Sequence, residues 1–179
     1  MGAGQARAVR SEWSAVCPQD KQAPKQVEAK PRVDKKVWLS DLQERNAFVG
    51  YGTFGKNGEL GYEGLTIVVG GRPSQEGISM HPPANGISKV TYDVPVGCTH
   101  FEGEAAIADG RLPQATPVVF RVINEKDRLL WQSKPIHGAG KSEKCRIALT
   151  GAKSLTLTVE CLGSHNYAYA VWINPVFCQ

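Results

Sequence analysis

The sequence predicts an all-β fold, a β-sandwich of jelly-roll type, over residues 37–179. Apolar and polar residues alternate with a period of two from residue 36 onward, and turn residues separate about eight to ten short candidate strands. No window of about 12 residues has the apolar spacing of an amphipathic helix. Many short strands joined by turns are typical of two packed sheets.

Residues 1–36 differ in composition from the rest of the chain. They are rich in Lys, Gln, Ala and Pro and poor in apolar residues, so they cannot bury enough surface to offset chain entropy. We predict a disordered leader or linker. It holds eight of the 21 Lys and Arg and four of the 17 acids, which leaves 13 of each sign in residues 37–179. A neutral domain argues against nucleic-acid binding, which requires basic residues on the folded part.

Neither a membrane span nor a signal peptide is predicted, and the compartment stays open. There is no run of about 18 apolar residues, and the N-terminus lacks an apolar segment. The five cysteines have no metal-type spacing. Strand parity points Cys145 and Cys161 inward as small buried residues, whereas a disulfide that involves Cys98 or Cys178 stays open.

The candidate strands follow one another with short connections. They are residues 37–39, 65–69, 89–94, 101–108, 117–123, 128–132, 144–149, 155–161 and 167–177. Two hairpins are predicted, one through the turn at 124–127 and one through the turn at 150–153. Residues 41–48 could form one helical turn at most.

Residues 77–86 (GISMHPPANG) are the most informative connection. Proline fixes φ and glycine permits angles that other residues avoid, so this segment is predicted to be a defined loop that presents His81 and Asn85 for recognition. Two simpler roles stand beside this one. His81 could donate to a backbone carbonyl and pin the loop, and Asn85 could merely supply a left-handed turn residue.

Residues 162–172 (LGSHNYAYAVW) combine aromatic, small and amide side chains, which suits a sugar site. A pyranose stacks its apolar face on an aromatic ring while its hydroxyls form hydrogen bonds. The candidate contacts are Asn166, Tyr169 and Trp172, together with Tyr51 between two glycines. Strand parity places Trp172 opposite Tyr169, so both cannot line one pocket, and a core position is the favoured alternative for Trp172.

No catalytic motif is present. The sequence lacks the nucleophile elbow of hydrolases, the zinc-protease helix, a phosphate-binding loop and a dinucleotide fingerprint. Glu102 and Glu104 share a strand face, but a glycosidase pair needs a cleft and a defined separation. We therefore predict that the domain is not an enzyme.

Four segments in order resemble the NPCBM family, carbohydrate-binding modules often appended to glycoside hydrolases. They are VWLSDL at 37–42, GYG at 50–52, GISMHPPA at 77–84 and YAYAVW at 167–172. The resemblance covers residues 37–178. It implies a galactose-binding-domain-like β-sandwich that is non-catalytic and binds glycans, galactose-containing ones among them, and a structural calcium occurs in relatives.

Residue by residue, the resemblance is strongest at His81 and Trp172 and weaker at Tyr51. Tyr169 and Val171 stand where the family commonly has a histidine and an acidic residue.

The hypothesis is a carbohydrate-binding domain tethered by its leader to a catalytic or cell-surface partner. The rival is a structural or protein-interaction sandwich that kept the scaffold and lost the pocket. An open groove with an exposed aromatic face beside His81 favours the first. A buried His81 with both ring nitrogens bonded to backbone favours the second.

Overall fold

The computed structural model describes Met1 and residues 35–62, 64–110 and 116–179. Most of the predicted leader, 1–36, lies outside these ranges. The strands are β1 Lys36–Trp38, β2 Arg45–Phe48, β3 Val68–Val69, β4 Arg72–Pro73, β5 Ile78–Ser79, β6 Gly86–Asp93, β7 His100–Ile107, β8 Val118–Asn124, β9 Leu129–Gln132, β10 Ser142–Ala148, β11 Ser154–Cys161 and β12 Ala170–Cys178. Helical structure in the described ranges is one 3-10 turn, Leu39–Asp41, and none of it could cross a membrane.

Two five-stranded antiparallel sheets enclose the core, which confirms the all-β class. The first sheet has the order β1-β12-β7-β10, with β5 also paired to β12. The second has the order β2-β6-β11-β8-β9, and β3 and β4 form a small separate ribbon. Inward-facing residues of both sheets fill one contiguous core, as alternation along the strands predicts.

One predicted hairpin is confirmed and the other is wrong. β8 pairs with β9, and the Asn124 side chain accepts hydrogen bonds from the backbone N–H groups of Lys126 and Arg128 in the turn. β10 instead pairs with β7 in the first sheet, while β11 lies between β6 and β8 in the second. The turn at 150–153 therefore crosses between the sheets. Alternation gives the inward face of a strand but not its neighbour.

Two local predictions also need correction. The single helical turn lies at Leu39–Asp41, and Arg45–Phe48 is a strand. Only Val68–Val69 of the run 65–69 is a strand. Ile67 and Val69 belong to a small second cluster with Leu60, in which they cover part of the outer face of the first sheet.

The core is built around Trp172, whose side chain is fully buried. Its ring packs against those of Phe101, Phe120 and Trp131 at centroid distances of 5.8, 5.5 and 5.7 Å. The prediction that Cys145 and Cys161 point inward is confirmed. Burial raises the pKa of the Cys145 thiol to about 12, so this thiol stays protonated and unreactive at neutral pH.

Candidate functional site

A cavity of about 360 Å³ opens where several loops meet beside β5 and β12. Its walls are mostly aromatic and contain no Lys, Arg, Asp or Glu among the described lining residues. The lining is Tyr51, Tyr62, His81, His165, Asn166, Tyr167 and Tyr169. An uncharged, ring-lined hollow of this size suits a small ligand with both apolar and hydroxyl surface.

Glycine 50 allows the Tyr51 loop to reach the cavity. Its backbone N–H donates to the carbonyl oxygen of His81 at 2.7 Å. A Cβ at position 50 would overlap the backbone of Pro82 and Pro83. Only glycine therefore allows these two segments of the backbone to approach so closely. The loop carries Tyr51 to the rim, where 48% of the residue is exposed.

The segment that carries His81 is fixed from both sides. The N–H of Met80 donates to the carbonyl of Ala170 at 2.9 Å, and the Ser88 hydroxyl donates to the carbonyl of Met80 at 2.8 Å. His81 Nε2 lies 2.9 Å from the carbonyl oxygen of His165. This bond joins the two histidine-bearing loops and leaves His81 only 5% exposed.

His81 is neutral at physiological pH. Burial disfavours the imidazolium and lowers the pKa of His81 to about 4, even though the hydrogen bond to the His165 backbone acts in the opposite direction. Because a carbonyl can only accept, Nε2 carries the proton and Nδ1 is an acceptor. Nδ1 is buried and has no hydrogen-bond partner.

Aromatic rings surround His81. The ring centroids of Tyr51, Tyr62, Tyr169 and His165 lie 5.5, 6.0, 6.0 and 5.4 Å from that of His81. The interplanar angles run from 54° to 89°, so the rings meet at their edges rather than stacking. Edge-to-face packing leaves ring faces available to a ligand. The cavity therefore combines rigid aromatic walls with an acceptor nitrogen in its buried part.

The profile of the NPCBM/NEW2 domain matches residues 35–178, most of the chain. The protein belongs to the NPCBM/NEW2 family. No curated protein sequence matches it.

Several solved structures share the fold of this NPCBM domain. The CBM51 module of a family GH95 protein from Clostridium perfringens, in complex with methyl-galactose, has a TM-score of 0.66 at 19% identity, over 80% of this chain and 99% of that one. The CBM51-2 and INT domains of C. perfringens ZmpB, with GlcNAc bound to CBM51-2, have a TM-score of 0.67 at 20% identity, over 81% of this chain. This chain spans 32% of that structure and 32% of another structure of the same two domains. They support the galactose-binding-like β-sandwich.

Four of the six residues predicted for the NPCBM sugar site line the cavity. Tyr51, His81, Asn166 and Tyr169 are brought together by the loops. Asn85 does not line it; it is an exposed turn residue with a φ of 48°, and its N–H donates to Gly163. The simpler turn role of this asparagine is the one observed.

Trp172 is the second predicted residue that does not line the cavity. It is fully buried in the core, because inward and outward side chains alternate along β12. Its neighbour Val171 faces outward under the covering segment, in the small second cluster. A ligand in the cavity therefore does not reach the Trp172 ring.

Three residues of the cavity lining were not among the predicted site residues. His165 and Tyr167 lie in the segment 162–172, whose composition had already marked it for sugar binding. No such signal marked Tyr62. It reaches the cavity because the N–H and the hydroxyl of Thr53 both donate to the carbonyl of the preceding residue, Gly61. A lone tyrosine after a glycine is indistinguishable from an ordinary loop residue.

The calcium ion that the family resemblance implies stays a prediction. Calcium takes six to eight oxygen ligands, with carboxylates prominent among them. Within 35–62, 64–110 and 116–179, no three Asp, Glu, His or Cys side chains converge. The carboxylate oxygens of Asp109 accept hydrogen bonds from the N–H groups of Gly70 and Gly71 at 2.9 and 2.7 Å.

Proposed function

We propose that this NPCBM domain is a non-catalytic carbohydrate-binding module whose ligand occupies the cavity beside His81. One observation carries the proposal: an exposed tyrosine ring and a buried, unpartnered imidazole nitrogen lie in the same hollow. The rival, a sandwich with a closed pocket, expected both nitrogens of His81 to bond to backbone. Only one of them does.

We assign different parts of a pyranose to different walls of the cavity. Tyr51 and Tyr167, both at the rim, offer ring surface to the apolar C–H face of the sugar. His81 Nδ1 accepts a hydrogen bond from a hydroxyl group, which removes the cost of an unpaired buried acceptor. The amide of the exposed Asn166 can donate and accept at once, as vicinal hydroxyls require.

The ligand proposed is a neutral sugar, with galactose-containing glycans as the first candidates. The described lining residues include no Lys or Arg, so a sialic acid or sulfated sugar would find no guanidinium or ammonium group to pair with. The structural neighbours in complex with methyl-galactose and with GlcNAc are also modules with uncharged sugars. Both therefore serve as test ligands.

Catalysis is left to a partner in this proposal. A hydrolytic site of the usual kind needs two carboxylates that flank the bond. Glu102 and Glu104 lie on the outer face of the first sheet, where they contact Arg146 and Ser142. Structural neighbours include CBM51 modules beside an M60 catalytic domain and in a family 98 glycoside hydrolase. We propose the same tethering here, since a shallow site gains from attachment to a partner that holds the glycan nearby.

A titration of cavity variants tests the proposal. Tyr51→Ala is expected to weaken binding of methyl-galactoside or GlcNAc at least about tenfold, that is by roughly 1.4 kcal/mol, because it removes the stacking surface. Phe48→Ala is the matched control, since Phe48 is an aromatic residue of similar exposure outside the cavity lining. The control should bind like the wild type.

His81 needs a pair of substitutions. His81→Gln can keep the donor to the His165 carbonyl, whereas His81→Ala removes it. A loss that the two variants share is therefore assigned to the imidazole ring with its Nδ1 acceptor, and not to the bond with His165. If Tyr51→Ala and both His81 variants remain folded and bind as the wild type does, the ligand does not occupy this cavity. If the wild type itself binds neither sugar, the rival function stands.

A further inference from the structure

The outer face of the first sheet is divided into two halves of different chemistry. In one half Ala106, Ala108 and Val171 lie beneath the covering segment in the small second cluster. The other half borders a groove of about 420 Å³ that is separate from the cavity. The groove contains a tryptophan, so it differs from an ordinary solvated sheet face.

Strand register places the groove residues in two rows. The first row runs Trp38, Val176, Glu102 and Arg146 across β1, β12, β7 and β10. The second row holds Ile173, Glu104 and Lys144 on the last three of these strands. Since neighbouring strands lie about 4.8 Å apart, the first row extends over roughly 14 Å, which exceeds the width of one sugar ring.

The floor of the groove is apolar. Val176 is 4% exposed, although it faces away from the core. Trp38 and Ile173 are half-buried beside it. A bulge in β12 between Ile173 and Val176, with Asn174 at a φ of 46°, bends the strand at this point. Val176 itself is covered, so the surface that the floor offers is that of Trp38 and Ile173, at a bend in the sheet.

Polar groups border this floor on β7 and β10. Arg146 Nε lies 3.0 Å from Glu102 Oε1, and the two side chains are 72% and 37% exposed. Glu104 accepts a hydrogen bond from Ser142. Ion pairs this exposed contribute little to stability. Their charged groups can therefore give up their bound water and their ion-pair partner and bind a ligand instead, at a small cost in free energy. Carboxylate and guanidinium groups can each bind two adjacent hydroxyls.

We propose that this groove is a second saccharide-binding surface, which takes a chain of several sugar units rather than one terminal sugar. Trp38 stacks on one unit, the carboxylates of Glu102 and Glu104 accept from hydroxyls, and Arg146 and Lys144 donate to them. The proposal stands on the groove alone and does not require the cavity to bind.

Affinity electrophoresis in gels that contain a soluble polysaccharide, paired with titration of a monosaccharide, tests it. The polysaccharides are a galactan, a mannan and a polyuronate. Trp38→Ala is expected to reduce the retardation by at least one of these polysaccharides about tenfold or more. Monosaccharide binding should stay unchanged, because in this proposal the groove takes a polysaccharide and not a single sugar. Glu102→Gln should also reduce retardation. Phe48→Ala, an exposed aromatic on the second sheet, is the matched control.

The Tyr51→Ala background separates this proposal from the cavity. Residual retardation in Tyr51→Ala that disappears in Tyr51→Ala/Trp38→Ala supports the groove whether or not the cavity binds. If no polysaccharide retards the wild type, or if Trp38→Ala and Glu102→Gln are folded by circular dichroism and retarded like the wild type in both backgrounds, the groove is not a binding surface.

Discussion

Two aromatic clusters of this protein have similar ring geometry but different roles. The core cluster centres on Trp172 and the cavity cluster on His81, and in both the neighbouring rings lie between 5.4 and 6.0 Å away. Each also holds a buried polar atom without a partner, Nε1 of Trp172 and Nδ1 of His81. They differ in where they lie: the Trp172 ring is enclosed by strands, and the His81 ring borders an open cavity.

The difference teaches that ring packing alone does not mark a binding site. In the core an unpaired N–H is a cost that no ligand can relieve, because the residue is fully buried. His81 Nδ1 is equally buried, but its residue lines the cavity, so the proposed hydroxyl donor can reach it once a neighbouring ring moves aside. The place of the residue, beside a cavity or inside the core, decides whether such an atom can serve recognition.

The largest effect is expected when the core cluster is broken. Trp172→Ala should lower the free energy of unfolding by about 3–5 kcal/mol, since it leaves a large cavity among packed rings. Chemical denaturation measures it. Trp172→Phe should cost less than half as much, because it keeps most of the ring contacts and removes the unpaired N–H. Equal losses in the two variants would contradict this expectation, because they would mean that the ring contacts kept by phenylalanine contribute nothing.

A somewhat smaller effect is expected from protonation in the cavity cluster. The pKa of His81 is about 4 in the folded protein against 6.5 for the free side chain, so the unfolded chain binds the proton first as pH falls. The contribution of neutral His81 to the free energy of unfolding is fully present above pH 6.5. It declines as the pH falls toward 4, by about 3 kcal/mol at most. Urea denaturation between pH 7 and 4 measures it.

The variant His81→Gln isolates this titration from that of the carboxylates, because glutamine does not ionise. The wild type should lose more stability than the variant over the same pH range. Parallel curves would show that His81 is not held neutral by burial. Sugar binding by the wild type should stay constant from pH 8 to 5 as far as His81 is concerned.

The smallest effect on stability is expected at the backbone that supports the cavity. Gly50→Ala should cost about 1–3 kcal/mol and weaken sugar binding, since its Cβ would push the Tyr51 loop away from Pro82 and Pro83. Gly151→Ala is the matched control: this glycine lies in the turn between β10 and β11 with no atom near its Cβ position. It should destabilise through its φ of 73° yet leave binding unchanged. If both variants bind normally, the Gly50 contact does not position Tyr51.

Much of the fold follows from local rules. Alternation identified the long strands and the buried faces of Cys145 and Cys161, and turn chemistry identified the β8–β9 hairpin. The short strands and turns predicted the β-sandwich, and the resemblance of four short segments to the NPCBM family added its galactose-binding-like type; the profile and the solved structures support both. These features are encoded within a few residues of one another, so a single sequence contains them.

The sequence predicted only part of the candidate site. His81, Tyr51, Asn166 and Tyr169 were selected for their chemistry, and the loops do bring them together. Asn85 and Trp172 were selected for the same reason and lie elsewhere. The chemical type of a side chain shows what it could bind, whereas its direction depends on the backbone that other segments hold in place.

By itself, the sequence determined the class of the fold, the strand faces and a histidine-bearing loop, because period, proline and glycine act over short distances. Only the tertiary structure decided that β10 and β11 belong to different sheets, that Tyr62, His165 and Tyr167 join His81, and that Trp172 faces the core. Those outcomes depend on hydrogen bonds and packing between segments as far apart as residues 50, 81 and 165, and no local pattern specifies such pairings.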